Sequence, residues 1–142
     1  MRFAATTLAL SLCWAACSVA APDQPLLIEA GKSVSLRVGE SAQTRDGEWR
    51  IGFEGVSADS RCPEGVQCVW AGDATVRVWL QRRAGPRELH ELHTAARAAS
   101  GASAPGSDGR RLRLMRLDPS PVASKPVAPG DYVVTLTLNA DR

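Results

Sequence analysis

The chain has 142 residues, of which 44% are hydrophobic and 23% are charged, and its formal net charge is +2. This length suits one domain that is large enough for a hydrophobic core. A charge this close to zero gives no electrostatic footprint for nucleic acid, so we expect no nucleic-acid partner.

Residues 1–20, MRFAATTLALSLCWAACSVA, have the features of a secretory signal peptide. Arg2 gives a positive start, an apolar run extends from Phe3 to Trp14, and small residues precede Ala21. The run is shorter than the roughly 20 apolar residues that span a bilayer. We therefore expect an exported, periplasmic protein whose mature chain is a single domain over residues 21–142.

The stretch WAAC at residues 14–17 offers an alternative to simple removal of the signal. Small residues before a cysteine resemble the lipobox of bacterial lipoproteins, in which that cysteine becomes the acylated N-terminus. Trp14 stands where the lipobox usually has Leu. Cys17 is thus either lost with the signal or lipidated, and a lipid anchor there is the only membrane attachment that we expect.

Alternation of apolar and polar residues, the pattern of half-buried strands, recurs along most of the mature chain. It occurs in SVSLRV, EWRIGFEGV, ATVRVWL and DYVVTLTL, and a shorter strand is predicted over residues 26–29. In ATVRVWL the pattern places Trp79 on the polar face. RRLRLMRL changes phase after Leu114, which predicts a β-bulge near Met115. About seven strands with short connections predict an all-β domain, an antiparallel sandwich or barrel.

Three segments lack this alternation. PRELHELHTAARAAS (residues 86–100) also fits a helical stripe, but its strand neighbours favour an extended segment to about Thr94. GASAPGSDG (residues 101–109) is predicted as a flexible loop. Residues 118–131 are predicted as an extended crossover, because their four prolines have no N–H to donate to a ladder.

The basic cluster GRRLRLMR (residues 109–116) either binds an anionic surface or is the solvated face of a strand, and we favour the strand.

The stretch SRCPEGVQCVWAGD (residues 60–73) contains the two cysteines that remain once the signal and Cys17 are set aside. In an exported protein the pair Cys62 and Cys68 predicts a disulfide. Five intervening residues do not match the C-x-x-C of redox proteins. Pro63 favours an extended backbone at Cys62, Gly65 permits a turn with positive φ, and Trp70 is expected to cover the bond. We interpret the ring as a staple that stabilises the fold by about 2.4 kcal/mol.

A metal site is the alternative use of these cysteines. Cys62, Cys68, His90 and His93 would together make a Cys₂His₂ set. Export favours oxidation of the thiols, however, and on a strand the two histidines point to opposite faces. We therefore predict no metal or other cofactor, with a periplasmic metal carrier using His90, His93 and Met115 as an alternative hypothesis.

Motifs of catalysis are also missing from the sequence. There is no G-x-S-x-G nucleophile motif, the histidines have no evident Ser or Cys partner, and the acidic residues are scattered. We predict that the protein is not an enzyme.

The stretch DSRCPEGVQCVWAGDATVRV (residues 59–78) resembles a family of small bacterial exported proteins and lipoproteins. Its members have D-S-R-C-P, four further residues, C-x-W-A-G and then a strand. The Pro-rich stretch and Tyr-led last strand, PVAPGDYVVTLTL, are similar too. The resemblance implies export, the disulfide and an all-β fold, and it implies no activity, ligand or catalytic residue.

The favoured functional hypothesis is a monomeric binding or structural domain of the envelope, whose partner is an envelope protein or a small ligand. The candidate binding loop comprises Glu64, Val66, Gln67 and Trp70. The alternative is an inhibitor of an exported hydrolase that presents residues 60–73. Because structural roles account for Pro63, Gly65 and Trp70, we favour the staple over a binding role for this loop.

Overall fold

The computed structural model describes residues 25–95, 102–106 and 109–140. The predicted signal peptide and Cys17 lie outside the described residues, as do parts of the segments 86–100 and 101–109. Nine strands form within these ranges. They are β1 (Leu26–Ile28), β2 (Ser33–Arg37), β3 (Ser41–Thr44), β4 (Trp49–Asp59), β5 (Ala74–Arg82), β6 (Arg87–His93), β7 (Ser103–Pro105), β8 (Arg110–Asp118) and β9 (Val133–Ala140).

The strands form two packed sheets. One has five strands in the order β1-β3-β4-β5-β6, and the other has four in the order β2-β9-β8-β7. Every pairing is antiparallel except that of β1 with β3. This arrangement confirms the predicted all-β sandwich and is not a closed barrel. The strands beyond the predicted seven are β3 and β7, which are short and carry few β-branched or aromatic residues. The prediction of a loop over residues 101–109 is wrong for Ser103–Pro105, which pair with β8 as strand β7.

Inward-facing side chains of both sheets make one core. The period-2 faces predicted for β5 and β9 are confirmed, because Val76, Val78 and Leu80 are buried from one sheet and face a matching set from the other. That matching set on β9 is Val134, Leu136 and Leu138. Among the described residues, none belongs to a helix long and apolar enough to cross a membrane.

Trp79 lies on the outer face of the five-stranded sheet, as its place in the alternation predicts, yet it is only 7% exposed. It pairs in register with Gly52 of β4. A Cβ at Gly52 would lie 2.1 Å from the Trp79 ring, so only glycine leaves room for the indole there. The Arg87 guanidinium sits 4.3 Å from the ring centroid on top of it, in a cation–π contact.

Two local predictions are confirmed in β6 and β8. β6 is an antiparallel partner of β5, so the segment that also fitted a helix is extended as far as His93. In β8 the register with β9 shifts between Leu114 and Arg116, which is the bulge predicted near Met115.

The predicted crossover at residues 118–131 is wrong. This segment joins β8 to β9, which are neighbours in the same sheet, so it is a long hairpin connection. Its regular contacts are two isolated bridges, which Val122 makes with Glu64 and with Lys125. The connection therefore folds back against the loop between β4 and β5.

Candidate docking site at the stapled loop

Residues 60–73 connect β4 to β5, and we call this segment the stapled loop. Cys62 and Cys68 form the predicted disulfide, with Cα atoms 6.0 Å apart. Gly65 has a φ of +77°, which confirms the positive-φ turn expected inside the ring. The Val66 amide donates to the Pro63 carbonyl at 3.2 Å and closes that turn.

The two sides of the loop's neck are hydrogen-bonded to each other. The Ser60 amide donates to the Asp73 carbonyl at 2.7 Å, and the Cys62 amide donates to the Ala71 carbonyl at 3.0 Å. The Ser60 hydroxyl adds a bond from the Asp73 amide at 3.2 Å and one to its carbonyl at 3.0 Å. The neck thus continues the pairing of β4 with β5 as far as the ring.

At Gly72 the two sides of the neck approach too closely for a side chain. Its φ is +70°, and a Cβ there would lie 1.8 Å from the carbonyl oxygen of Ser60. Because the obstructing atom belongs to the backbone, no side-chain movement can make room for it. Gly72, the last residue of the W-A-G motif, is therefore explained by the close approach of the two backbone segments that form the neck.

Arg61 and Asp59 bind the loop to the opposite sheet. The Arg61 guanidinium donates to both carboxylate oxygens of Asp59, at 2.9 and 2.7 Å. It also donates to the carbonyls of Leu117 and Pro119, both at 2.8 Å. The Arg61 and Asp59 side chains are 14% and 11% exposed. This arrangement, which we call the Arg61 clamp, satisfies a nearly buried ion pair and fixes the end of β8.

Tyr132 completes the clamp from the start of β9. Its hydroxyl donates to Asp59 at 3.0 Å, and burial together with this carboxylate raises the pKa of Tyr132. Burial alone would raise the pKa of Asp59 as well. The hydrogen bonds from Arg61 and Tyr132 outweigh burial, so the pKa of Asp59 lies below its ordinary value and the carboxylate stays ionised.

Asp73 anchors the other side of the neck to the end of β6. Its carboxylate lies 2.6 Å from His93 Nδ1 and accepts bonds from the Thr94 hydroxyl at 3.1 Å and the Ala95 amide at 2.8 Å. Burial would raise the pKa of Asp73, but these hydrogen bonds prevail and lower it. The Thr94 hydroxyl also accepts a bond from the Ala74 amide at 2.8 Å.

The outer end of the stapled loop, beyond the neck and the Arg61 clamp, exposes apolar side chains to solvent. Val69 is 90% exposed, Trp70 is 79% exposed and Val66 is 45% exposed, and we call these three residues the apolar tip. The prediction that Trp70 covers the disulfide is wrong, because the indole projects into solvent and Cys68 is itself exposed. Trp70 therefore has no packing role that would account for it.

The other members of the predicted binding loop are also accessible. Glu64 and Gln67 are exposed, and the Glu64 amide donates to the Pro121 carbonyl at 2.9 Å. Beside the tip is a depression of about 430 Å³, which extends to Ala95, two residues beyond the end of β6. Its lining residues are Val69, Trp70, Ala71, Gly72 and Ala95.

The structure does not assemble the Cys₂His₂ set. The two cysteines are joined to each other in the disulfide. His90 and His93 are three residues apart on strand β6, where they pair with Val78 and Thr75 and so lie on different faces of the sheet. Within the described ranges, no group of three or more His, Cys, Asp or Glu side chains could hold a metal ion. His93 and Met115 do line one depression, but His90 lines another.

Several residues of this site escaped the sequence analysis, namely Asp59, Arg61, Val69, Gly72 and Asp73. The signal that would have found four of them is the motif itself, since D-S-R and A-G-D flank the cysteines. Val69 carries no such signal. No family model, curated protein or solved structure matches this chain. The stapled loop itself is therefore the basis for a functional inference.

Proposed function

We propose that this is a small exported binding protein that inserts the apolar tip of the stapled loop into an apolar cleft of a partner protein. The observation that carries the proposal is the exposure of Val69 and Trp70, at 90% and 79%, on a loop held from several sides. A monomer docking through these residues needs no catalytic group and no cofactor.

The bonds that hold the stapled loop in one conformation support a binding role. Ordering a side chain at an interface costs about 0.5–1.5 kcal/mol, and loop ordering adds to that cost. The staple, the Arg61 clamp and the neck hydrogen bonds fix the loop before any partner arrives. Tryptophan is also the residue type most enriched among the side chains that dominate binding energy.

Export is part of the same proposal. A disulfide is typical of oxidising compartments, and the signal-like residues 1–20 point to the same location. The resemblance of residues 59–78 to small exported proteins and lipoproteins agrees with it. A lipid on Cys17 would hold the domain at a membrane, with the tip free to reach a neighbouring envelope protein.

Site-specific photo-crosslinking in the native envelope tests the proposal. A photoreactive residue at Val69 should give a discrete crosslinked product, which Trp70→Ala in the same chain should abolish. Leu27 provides the matched position, because it is 69% exposed but lies on β1 rather than on the stapled loop. Equal products from positions 69 and 27, or a product that survives Trp70→Ala, would contradict docking through the tip.

Inhibition of an exported hydrolase is the second candidate, and one observation favours it. The ring carries its exposed side chains on a disulfide-closed loop, a shape suited to a substrate cleft. A panel of exported proteases and glycosidases tests this candidate. Inhibition by the native chain should weaken when Glu64, Val66 and Gln67 are replaced together by Ala. If the native chain inhibits no member of the panel, this second candidate is wrong and the docking proposal remains.

A further inference from the structure

The outer face of the four-stranded sheet carries arginine and hydroxyl side chains at most of its positions. Ser33, Ser35 and Arg37 of β2 are all exposed, and Leu36 between them is buried in the core. Outward positions on β9 and β8 continue the same surface. They are Val133, Thr135, Thr137 and Asn139 on β9 and Arg111, Arg113, Arg116 and Asp118 on β8. We call this surface the arginine face.

Strand register arranges these side chains in rows across the sheet. One row runs from Ser33 through Thr137 to Arg113, and the next runs from Ser35 through Thr135 to Arg116. The hydroxyls of Ser35 and Thr135 lie 3.0 Å apart. The second row therefore places two hydroxyl groups beside a guanidinium. In the first row only the Ser33 hydroxyl is exposed, because Thr137 is 8% exposed and accepts a bond from the Asn139 amide at 3.5 Å.

Positive charge dominates the arginine face. Arg37 and Arg113 carry this charge, whereas Arg116 is bound to Asp118 at 2.7 Å. The Glu40 carboxylate just beyond the end of β2 accepts a bond from the backbone amide of Arg37 at 2.8 Å and does not pair with its guanidinium. Among the described residues, neither Arg37 nor Arg113 forms a salt bridge, and both are exposed. The outer face of the other sheet differs, since there Arg77 is paired with Glu54 at 3.0 Å.

From this chemistry we propose that the arginine face binds an acidic polysaccharide. Guanidinium groups match carboxylates in bidentate geometry, and the hydroxyls of Ser33, Ser35 and Thr135 and the amide of Asn139 match sugar hydroxyls. Arg37 and Arg113 are four residues apart along the strands and two strands apart across the sheet. That separation is roughly 16 Å from strand dimensions, so one small anion cannot reach both. An extended polyanion can.

The same surface is poorly suited to other anionic macromolecules. Single-stranded nucleic acid needs aromatic side chains on which bases stack, and the strand positions of the arginine face include none. An anionic membrane surface favours a face that also inserts several large apolar groups. On β8 the structure exposes one such side chain, Met115 at the bulge, and the outward strand positions include only Val133. A hydrated sugar polymer requires neither.

Binding to polygalacturonate at low ionic strength tests the proposal, with uncharged dextran as the reference polymer. The double variant Arg37→Gln/Arg113→Gln should weaken binding to polygalacturonate by about tenfold, from two lost exposed ion pairs. The matched control is Arg77→Gln/Arg82→Gln, which removes the same charge from the other sheet and should change binding less than about twofold. Trp70→Ala should leave this binding unchanged, which separates the arginine face from the apolar tip.

Three results would overturn the proposal. Equal weakening by the two double variants would mean that net charge alone attracts the polymer. Equal affinity for dextran and polygalacturonate would mean that the arginines do not recognise the carboxylates of the polymer. Stronger binding to a 20-nucleotide single strand or to phosphatidylglycerol vesicles than to polygalacturonate would assign the face to a different macromolecule.

Discussion

Trp79 and Trp70 occupy two regions of the surface and reach opposite degrees of burial. On the outer face of the five-stranded sheet, glycine at position 52 makes room for the Trp79 ring and Arg87 covers it. On the stapled loop no residue that the structure describes covers Trp70 in this way, and it is 79% exposed, although hydrogen bonds hold the neck of that loop. Trp79 thus contributes to the packing of the sheet face, whereas Trp70 lies in solvent, where we propose that it contacts a partner.

Replacing each tryptophan by alanine tests this difference most directly. Trp79→Ala should lower the free energy of unfolding by about 4 kcal/mol, because it empties a buried site between Gly52 and Arg87. Trp70→Ala should change it by less than about 0.5 kcal/mol, because the indole is already in solvent. Urea unfolding of both variants gives the two values, and similar losses would remove the distinction between the regions.

The Arg61 clamp is the next largest expected contribution. Asp59→Ala leaves a nearly buried guanidinium without its carboxylate and should cost about 3 kcal/mol. Asp131→Ala is the control, because Asp131 is exposed and should have an effect below about 0.5 kcal/mol. Thermal unfolding of both variants measures the comparison. A small loss in Asp59→Ala would mean that the loop does not depend on the clamp.

Two glycines of the stapled loop isolate the effect of the close approach in the neck. Both have positive φ, but a Cβ at Gly65 meets no atom within 4 Å, whereas one at Gly72 meets the Ser60 carbonyl. Gly65→Ala should cost about 1 kcal/mol from backbone strain alone. Gly72→Ala adds the steric conflict and should cost about 3 kcal/mol. Equal values in denaturant titrations would contradict the close approach.

The disulfide separates stability from binding. Replacing Cys62 and Cys68 together by Ser should lower the free energy of unfolding by about 2.4 kcal/mol on the chain-entropy model. Crosslinking from position 69, measured well below the melting temperature, should persist, because the clamp and the neck remain. Lost crosslinking with unchanged melting would instead place the ring itself in the interface.

The smallest expected effect is a pH dependence that arises in the clamp. The pKa of Asp59 is lowered in the folded protein, so its contribution to stability is fully present above the ordinary pKa of about 3.9. That contribution is lost as the pH falls through the lower, folded-state pKa. Asp59→Asn should therefore be less stable at pH 7 and should lose less stability than the native chain between pH 5 and pH 2. Urea unfolding across that range checks the sign.

Local sequence patterns were sufficient for much of the fold. Alternation placed the inward faces of β5 and β9, and the change of phase in RRLRLMRL located the bulge beside Met115. The lone cysteine pair gave the disulfide. These features depend on neighbours within a few residues, which a sequence pattern records directly. The short strands β3 and β7 lack such a pattern and depend on pairing with longer neighbours.

The candidate site depends on contacts that no local pattern records. Arg61 meets the Leu117 carbonyl 56 residues further along the chain, and Asp73 meets His93 from a neighbouring strand. The position of Trp70 two residues after Cys68 suggested a shared face, but the loop turns the indole away from the core. Sequence proximity therefore predicted the disulfide correctly but placed the Trp70 indole wrongly, on the disulfide instead of in solvent.

The Arg61 clamp also bears on how the stapled loop can be copied or redesigned. A synthetic cyclic peptide of residues 60–73 would keep the ring, yet it would lack the carbonyls of Leu117 and Pro119 that orient Arg61. The side chains of Glu64, Val66, Gln67, Val69 and Trp70 are exposed and lie outside the clamp, the neck and the disulfide, so these five positions are open to randomisation. The complete domain is thus the appropriate scaffold for displaying new sequences at the tip, and the isolated peptide is not.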